Sequence, residues 1–245
     1  DIYRPEDSQE KILPVIINVH GGGLIIGNKE FNRYFCALLC KKGFLVYSIE
    51  YRLIPDCLIY DQIADVFMAM DYIKERLAAD GGDSSHVYMA GDSGGACLIT
   101  YVNAIQNSTN IAMAANVTPS GLRINALGLI SGMFYTSRFD KIGLFLPKYL
   151  YGRDYKKTTF AKSDNLENRE LLNSLAPVWL VTSHYDFFRR YTTDFEKALT
   201  RAEREHELVV FPKNKKLTHA FSVFEPFMPE SGAVIDMMVE YLRKF

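Results

Sequence analysis

Ser93 stands in Gly91-Asp92-Ser93-Gly94-Gly95, a G-x-S-x-G pentapeptide that follows the β-rich run Val87-Tyr88-Met89-Ala90 and opens an apolar helical run at Ala96. A strand-to-helix turn this sharp pushes the serine hydroxyl out above the sheet, and glycines on both sides leave room for it. Ser93 is therefore the candidate nucleophile for acyl transfer. A glycine-rich helix entrance is equally a structural turn or an anion nest, so the pentapeptide needs a partner. His20-Gly21-Gly22-Gly23, directly after the apolar run Val15 to Val19, supplies one. Successive glycines let backbone N–H groups come close to a developing oxyanion. The Gly22 and Gly23 amides would join that of Gly94, the residue after the nucleophile, as an oxyanion hole. His20 is read as holding this loop in place.

A hydroxyl is a poor nucleophile at neutral pH, so Ser93 requires a base, and the base requires a carboxylate that fixes its tautomer. The chain has five histidines. His20 belongs to the glycine loop, His86 precedes the nucleophile strand at the wrong end, His184 adjoins the best acid, and His206 precedes the run 207–211. His219 remains, beyond the C-terminal end of that run, where ligands gather in open α/β sheets. Asp186 follows the run 178–182 and is the best carboxylate. Asp92 lies inside the elbow, Asp194 falls in a helical pattern that would aim it at solvent, and Glu225 comes after the base. The order Ser93, Asp186, His219 matches the Ser…Asp/Glu…His order of α/β-hydrolases.

These residues need a sheet to bring them together. Short β-rich runs at 15–19, 44–49, 87–90, 124–130, 178–182 and 207–211 alternate with helical patterns, which argues for a mostly parallel sheet. Ile63, Val66, Phe67, Met70, Ile73 and Leu77 recur every three or four residues and share one helical face. Further helices are expected over 30–41, 94–106, 190–204 and 232–244, covering both sheet faces. No repeat and no Pro/Gly/Ser-rich linker divides the chain, so residues 1–245 read as a single α/β domain. From Gly132 to about Asn165 the period is lost and aromatics gather. This segment reads as a lid or cap insertion over the site, or equally as a helix pair packed on the body.

The composition narrows the classes of function. The 245 residues are 48% hydrophobic, with 28 basic and 29 acidic side chains and a formal charge of −1. Without a basic block, nucleic acid is not an expected partner. No apolar run approaches the roughly 20 residues that cross a bilayer, so no membrane span is expected. Cys36, Cys40, Cys57 and Cys97 lack CxxC spacing and read as reduced structural thiols. Together with the lack of an apolar leader, this points to a cytoplasmic location. Asn107-Ser108-Thr109 and Asn116-Val117-Thr118 match the glycosylation pattern, which matters only in a secreted chain.

The combination of His20-Gly21-Gly22-Gly23, Glu50-Tyr51-Arg52-Leu53-Ile54-Pro55, Gly91-Asp92-Ser93-Gly94-Gly95, Pro177-Val178-Trp179 through Asp186, and His219-Ala220-Phe221 resembles the hormone-sensitive-lipase-like branch of the α/β-hydrolases. The likeness spans about residues 14–224. It implies an α/β-hydrolase fold and a carboxylesterase with Ser93, Asp186 and His219 as triad and the Gly22, Gly23 and Gly94 amides as oxyanion hole. It also implies that Arg52, Asp61 and Asp65 are scaffold residues near the site. Family members usually carry an N-terminal helical cap, whereas this chain opens almost at the sheet, so the cap is expected to be reduced or missing. The elbow runs Gly94-Gly95-Ala96 where the family has Ala-Gly-Gly, and Leu24 stands where an aromatic is common.

The expectation is a serine carboxylesterase that takes small to medium acyl or aryl esters, with no metal and no cofactor. Its partner is a small-molecule ester, and an exposed C-terminal helix or strand could pair two copies into a homodimer. The alternatives are an amidase, formamidase or peptidase using the same triad, or a non-catalytic ligand-binding protein on the same scaffold.

Overall fold

The computed structural model describes residues 1–8, 11–162 and 165–245; Ser163 and Asp164, within the aromatic segment, lie outside the described residues. Seven strands are described: β1 (Ile2–Tyr3), β2 (Leu13–Val19), β3 (Leu45–Ile49), β4 (Gly82–Asp92), β5 (Ala126–Ile130), β6 (Val178–Ser183) and β7 (His206–Phe211). They form one sheet in the order β1-β3-β2-β4-β5-β6-β7. Only the β1–β3 pairing is antiparallel. The near-continuous Val/Ile/Leu character of β2, β3, β5 and β6 follows from burial on both faces. Side chains alternate between those faces. Val15, Ile17 and Val19 join one core cluster, while Ile16, Val46 and Tyr88 join the other.

The helices are α1 (Arg33–Lys41), α2 (Ile59–Arg76), α3 (Ser93–Asn107), α4 (Thr109–Ala115), α5 (Lys141–Phe145), α6 (Pro147–Leu150), α7 (Arg169–Asn173), α8 (Arg189–Arg201), α9 (Phe221–Phe224) and α10 (Pro229–Leu242). α2 buries Ile63, Val66, Phe67, Met70 and Ile73, the face set by its spacing. Its first turn is closed by Asp61, whose carboxylate accepts the Leu58 N–H at 2.9 Å. α2 and α3 pack into one cluster, and α1 and α10 into the other. The expected doubly covered parallel sheet is therefore the observed one.

Three differences have physical causes. β4 begins at Gly82, five residues before its apolar part, because Gly82 pairs with Leu13 while Ser84, Ser85 and His86 face solvent and carry no apolar signature. α4 is an additional helix, started by Ser108, whose Oγ accepts the Ile111 N–H at 3.3 Å. Asp194 does not point freely into solvent. Its side chain is 21% exposed and meets Arg138 at 2.8 Å, with Arg190 and Lys197 each at 3.6 Å. Arg138 comes from the aromatic segment and lies over the Tyr135 ring at 4.0 Å. A long-range cation thus draws in a carboxylate that helical periodicity alone assigns to the surface.

The strand order also fixes where a site can form. From β2 the chain passes to β3 on one side, then crosses back to β4 on the other. The loops leaving β2 and β4 therefore diverge over adjacent carboxyl ends, which opens a crevice at the switch point. Val19 pairs with Gly91, so the glycine loop after β2 starts level with the elbow after β4.

Candidate active site

The turn from β4 to α3 holds Ser93 at φ 50°, in the left-handed region that non-glycine residues rarely adopt. Its neighbours must be small for a specific reason. A Cβ on Gly95 would lie 2.2 Å from the Val19 carbonyl oxygen and 2.5 Å from that of His20. The elbow thus packs backbone to backbone against the glycine loop. A Cβ on Gly94 would meet the Leu24 nitrogen at 2.9 Å and the Gly23 nitrogen at 3.1 Å, so this residue packs on the loop as well.

The loop itself is held from behind. Gly22 and Gly23 have φ 94° and 63°. The Gly22 carbonyl accepts the Ile25 and Ile26 N–H groups, each at 3.1 Å. His20 is fully buried and stacks on Tyr51, ring centroids 4.3 Å apart. Its Nε2 lies 3.1 Å from Glu50, and the Tyr51 hydroxyl donates to the His20 carbonyl at 2.8 Å. Arg52 pairs with Asp65 at 2.8 Å and reaches Asp61 at 3.7 Å, while Gln62 Nε2 donates to the carbonyls of Leu24 and Arg52. These scaffold contacts anchor the loop to α2.

His219 Nδ1 donates to Asp186 Oδ1 at 2.7 Å. With the proton of a neutral imidazole committed there, Nε2 is the acceptor. Asp186 also accepts from Thr182 Oγ1 at 2.7 Å and from the Phe188 N–H at 2.8 Å. Burial alone would raise this carboxyl. Hydrogen bonds from His219, Ser131 and Thr182, with the attraction of His219, outweigh it and hold the group below its ordinary 3.8. The imidazole is enclosed by Phe187 and Phe188, at centroid distances of 4.1 and 5.2 Å. Ser183 Oγ donates to the Leu217 carbonyl, and the Ala220 N–H donates to Ser131 Oγ at 3.1 Å, tying the His219 loop to β6 and β5. Ser131 and Ala220, like Ser93, have positive φ (51° and 48°). Three left-handed non-glycine residues thus adjoin the candidate site.

Ser93, His219, Gly22 and Gly23 share the wall of a cavity of about 500 Å³. The rest of the wall is mainly apolar, including Met133, Ile142, Phe145, Leu146 and Phe187. Gly94 packs on Gly23 behind that wall, and Asp186 stands behind His219. The other histidines lie elsewhere: His86 on Asp83 at 2.7 Å, His184 on Arg189 at 2.7 Å, and His206 near Glu196 at 3.5 Å.

Sequence reasoning did not single out Thr182, Ser131 or Phe187. The signal available for Ser131 was its position just after β5, at the carboxyl end where the other site residues stand. In the 132–165 segment, α5 and α6 contribute to the cavity wall, while Leu150, Tyr151 and Phe160 are buried against the body. Among the described residues, no three His, Cys, Asp or Glu side chains cluster as metal ligands, and no helix is long and apolar enough to cross a membrane.

A single open, mostly parallel sheet whose glycine loop, elbow, acid and imidazole gather over its carboxyl edge defines an α/β-hydrolase. Residues 16–222 match the family described by the alpha/beta hydrolase fold, and the chain belongs to that family, in its hormone-sensitive-lipase-like branch. Among its relatives is a probable isoprenylcysteine alpha-carbonyl methylesterase of Oryza sativa subsp. japonica, 28% identical over 162 residues, 64% of this chain and 39% of that protein. Another of the same description from Arabidopsis thaliana is 24% identical over 253 aligned residues, 99% of this chain and 59% of that protein. The chain therefore spans less than two thirds of the length of both. Esterase B from Lactobacillus rhamnosis has the same fold, with a TM-score of 0.92 at 24% identity, covering 99% of this chain and 79% of that one.

Proposed function

We propose that the protein is a serine carboxylesterase. Ser93 Oγ attacks the ester carbonyl carbon as His219 Nε2 takes its proton, and the carbonyl oxygen becomes an anion facing the Gly22, Gly23 and Gly94 amides. The tetrahedral intermediate collapses, the C–O bond to the alcohol breaks, and His219 returns the proton to the departing oxygen. Water, activated by the same imidazole, then releases the acid and restores Ser93. Asp186 keeps the imidazole in the tautomer with Nε2 free and stabilises its charged form. The observation that carries this reading is the 2.7 Å His219–Asp186 bond set in a cavity wall shared with Ser93 and the glycine loop.

The apolar lining favours small to medium neutral acyl or aryl groups. The relatives' names, methylesterase and esterase, favour an ester over an amide. A series of p-nitrophenyl esters of rising acyl length, run beside fluorophosphonate labelling, tests the reading. The expected result is turnover with an initial burst, and kcat/KM rising roughly fourfold per added methylene until the cavity is full. Ser93→Ala is expected to lose labelling and to lower kcat by at least about 10⁴-fold. Wild-type protein that neither labels nor turns over any ester in the series would sink the proposal.

A further inference from the structure

The elbow carries a second carboxyl that the proposed chemistry leaves unused. Asp92, which ends β4 just before Ser93, has no exposed surface. Its Oδ1 accepts the Gly21 N–H at 3.0 Å and the Asn32 Nδ2–H at 2.8 Å, while its Oδ2 is buried without a partner. The carboxyl lies against the Gly21 backbone: a Cβ there would sit 2.3 Å from Oδ2. Gly21 is one peptide away from the Gly22–Gly23 donors.

We propose that Asp92 is a positioning residue, a buried and uncharged carboxylic acid whose Oδ1 latches the Gly21 amide, and with it the oxyanion loop, to the turn that carries Ser93. The surroundings supply no standing countercharge. The titratable groups facing Asp92 are His20 beyond β2, Tyr51 beyond β3, Cys36 on α1 and His219 on the loop after β7. No ion pair reaches it among the described residues. Burial raises its pKa, and the opposing pull of Asn32, His219, His20 and Gly21 does not cancel that. Neutrality also suits the chemistry. An anion beside the elbow would oppose the charge growing on the substrate oxygen. A neutral acid keeps the Oδ1 acceptor without the charge. Losing that acceptor leaves the Gly21 N–H buried and unpaired, a strong reason for the loop to shift.

This inference rests on the esterase reading, and comparing Asp92→Ala with Asp92→Asn separates the two. In the wild type, fluorophosphonate labelling and ester turnover establish the reaction first. Asp92→Ala is expected to lower kcat about 10- to 100-fold with KM within about threefold, as when oxyanion donors are misplaced. Asp92→Asn keeps an acceptor oxygen and no charge. It is expected to recover kcat to within about threefold, with the acid limb of the kcat/KM profile unmoved. Amide hydrogen exchange over residues 21–23 should speed up in Asp92→Ala and stay protected in Asp92→Asn. The latch is overturned by wild-type kcat in Asp92→Ala, or by unchanged exchange at 21–23. Neutrality is overturned if Asp92→Asn is as impaired as Asp92→Ala, or if its acid limb moves by about one pH unit. Should Asp92→Ala fail to fold, the activity, profile and exchange of Asp92→Asn decide alone. If the wild type itself is inert towards esters, the esterase reading fails while the exchange experiment still tests the latch.

Discussion

Asp186 contributes to the fold and, in the mechanism proposed above, to the chemistry. Its side chain has no exposed surface, yet three hydrogen-bond donors and the adjacent imidazole favour the ionised form over the neutral one. Replacing it by Asn keeps the shape and removes the charge. The amide can then face Nδ1 as a donor, turning the imidazole to the wrong tautomer. Asp186→Asn is therefore expected to reduce kcat by about 10³- to 10⁴-fold with little change in KM, as steady-state kinetics on a p-nitrophenyl ester would show. The same group sets a pH dependence of stability. Its folded pKa lies below the ordinary 3.8, so its stabilising contribution is complete above that value and is lost as pH falls through it and below. Urea midpoints measured between pH 7 and pH 3 should fall on the acid side in the wild type and fall less in Asp186→Asn. An equal acid loss in both would assign the effect to other carboxylates. Asp92 is shifted the other way, so its contribution is present in acid and lost as pH rises through its raised folded value.

At the level of elements, the cavity wall depends on how α5 and α6 are tethered. Arg138 joins Asp194 on α8 at 2.8 Å, Tyr191 on α8 donates to Asp140 at 2.6 Å, and Asp140 caps α5 by accepting the Ile142 and Gly143 N–H groups at 3.0 Å. α8 thus carries the support for the apolar side of the cavity. Arg138→Ala leaves a partly buried Asp194 with only its two longer contacts, so a loss of about 1–2 kcal/mol is expected, equivalent to about 2–8 °C in Tm. KM should rise more for long acyl esters than for acetate, because Ile142, Phe145 and Leu146 line the cavity. Calorimetry and the acyl series check the two effects, and an unchanged chain-length profile would refute the tether. This tether was not legible in the sequence. Arg138 and Asp194 are ordinary surface residue types, 56 positions apart, and Arg138 precedes α5, so no helical period pairs them. The main strands and α2 were legible because period and apolar content arise from the burial they experience. β1 has two residues and α4 depends on a Ser cap, so neither leaves a periodic trace.

Across the whole molecule, the site is assembled from the carboxyl ends of β2, β4 and β6 and from the loop after β7, and these cross most of the sheet. Ser93, Asp186 and His219 were chosen from chain order because each follows a recognisable strand, and parallel topology brings like ends together. The supporting bonds of Thr182 and Ser131 could not be read, since a hydroxyl after a strand has many uses. α10 closes the second face, packing Val234, Ile235 and Met238 into the cluster that includes Trp179 on β6 and Phe35 on α1. Trp179 is the chain's one tryptophan and is fully buried. Because both the site and this cluster span the sheet, we infer that residues 1–245 unfold as one cooperative unit. Ester turnover and Trp179 fluorescence should then be lost at the same urea concentration. Met238→Ala, about 2–5 kcal/mol less stable because Met238 is fully buried, should move both midpoints down together. Activity lost well before the fluorescence change would show instead that the cavity end loosens independently of the sheet, and the single-unit inference would fail.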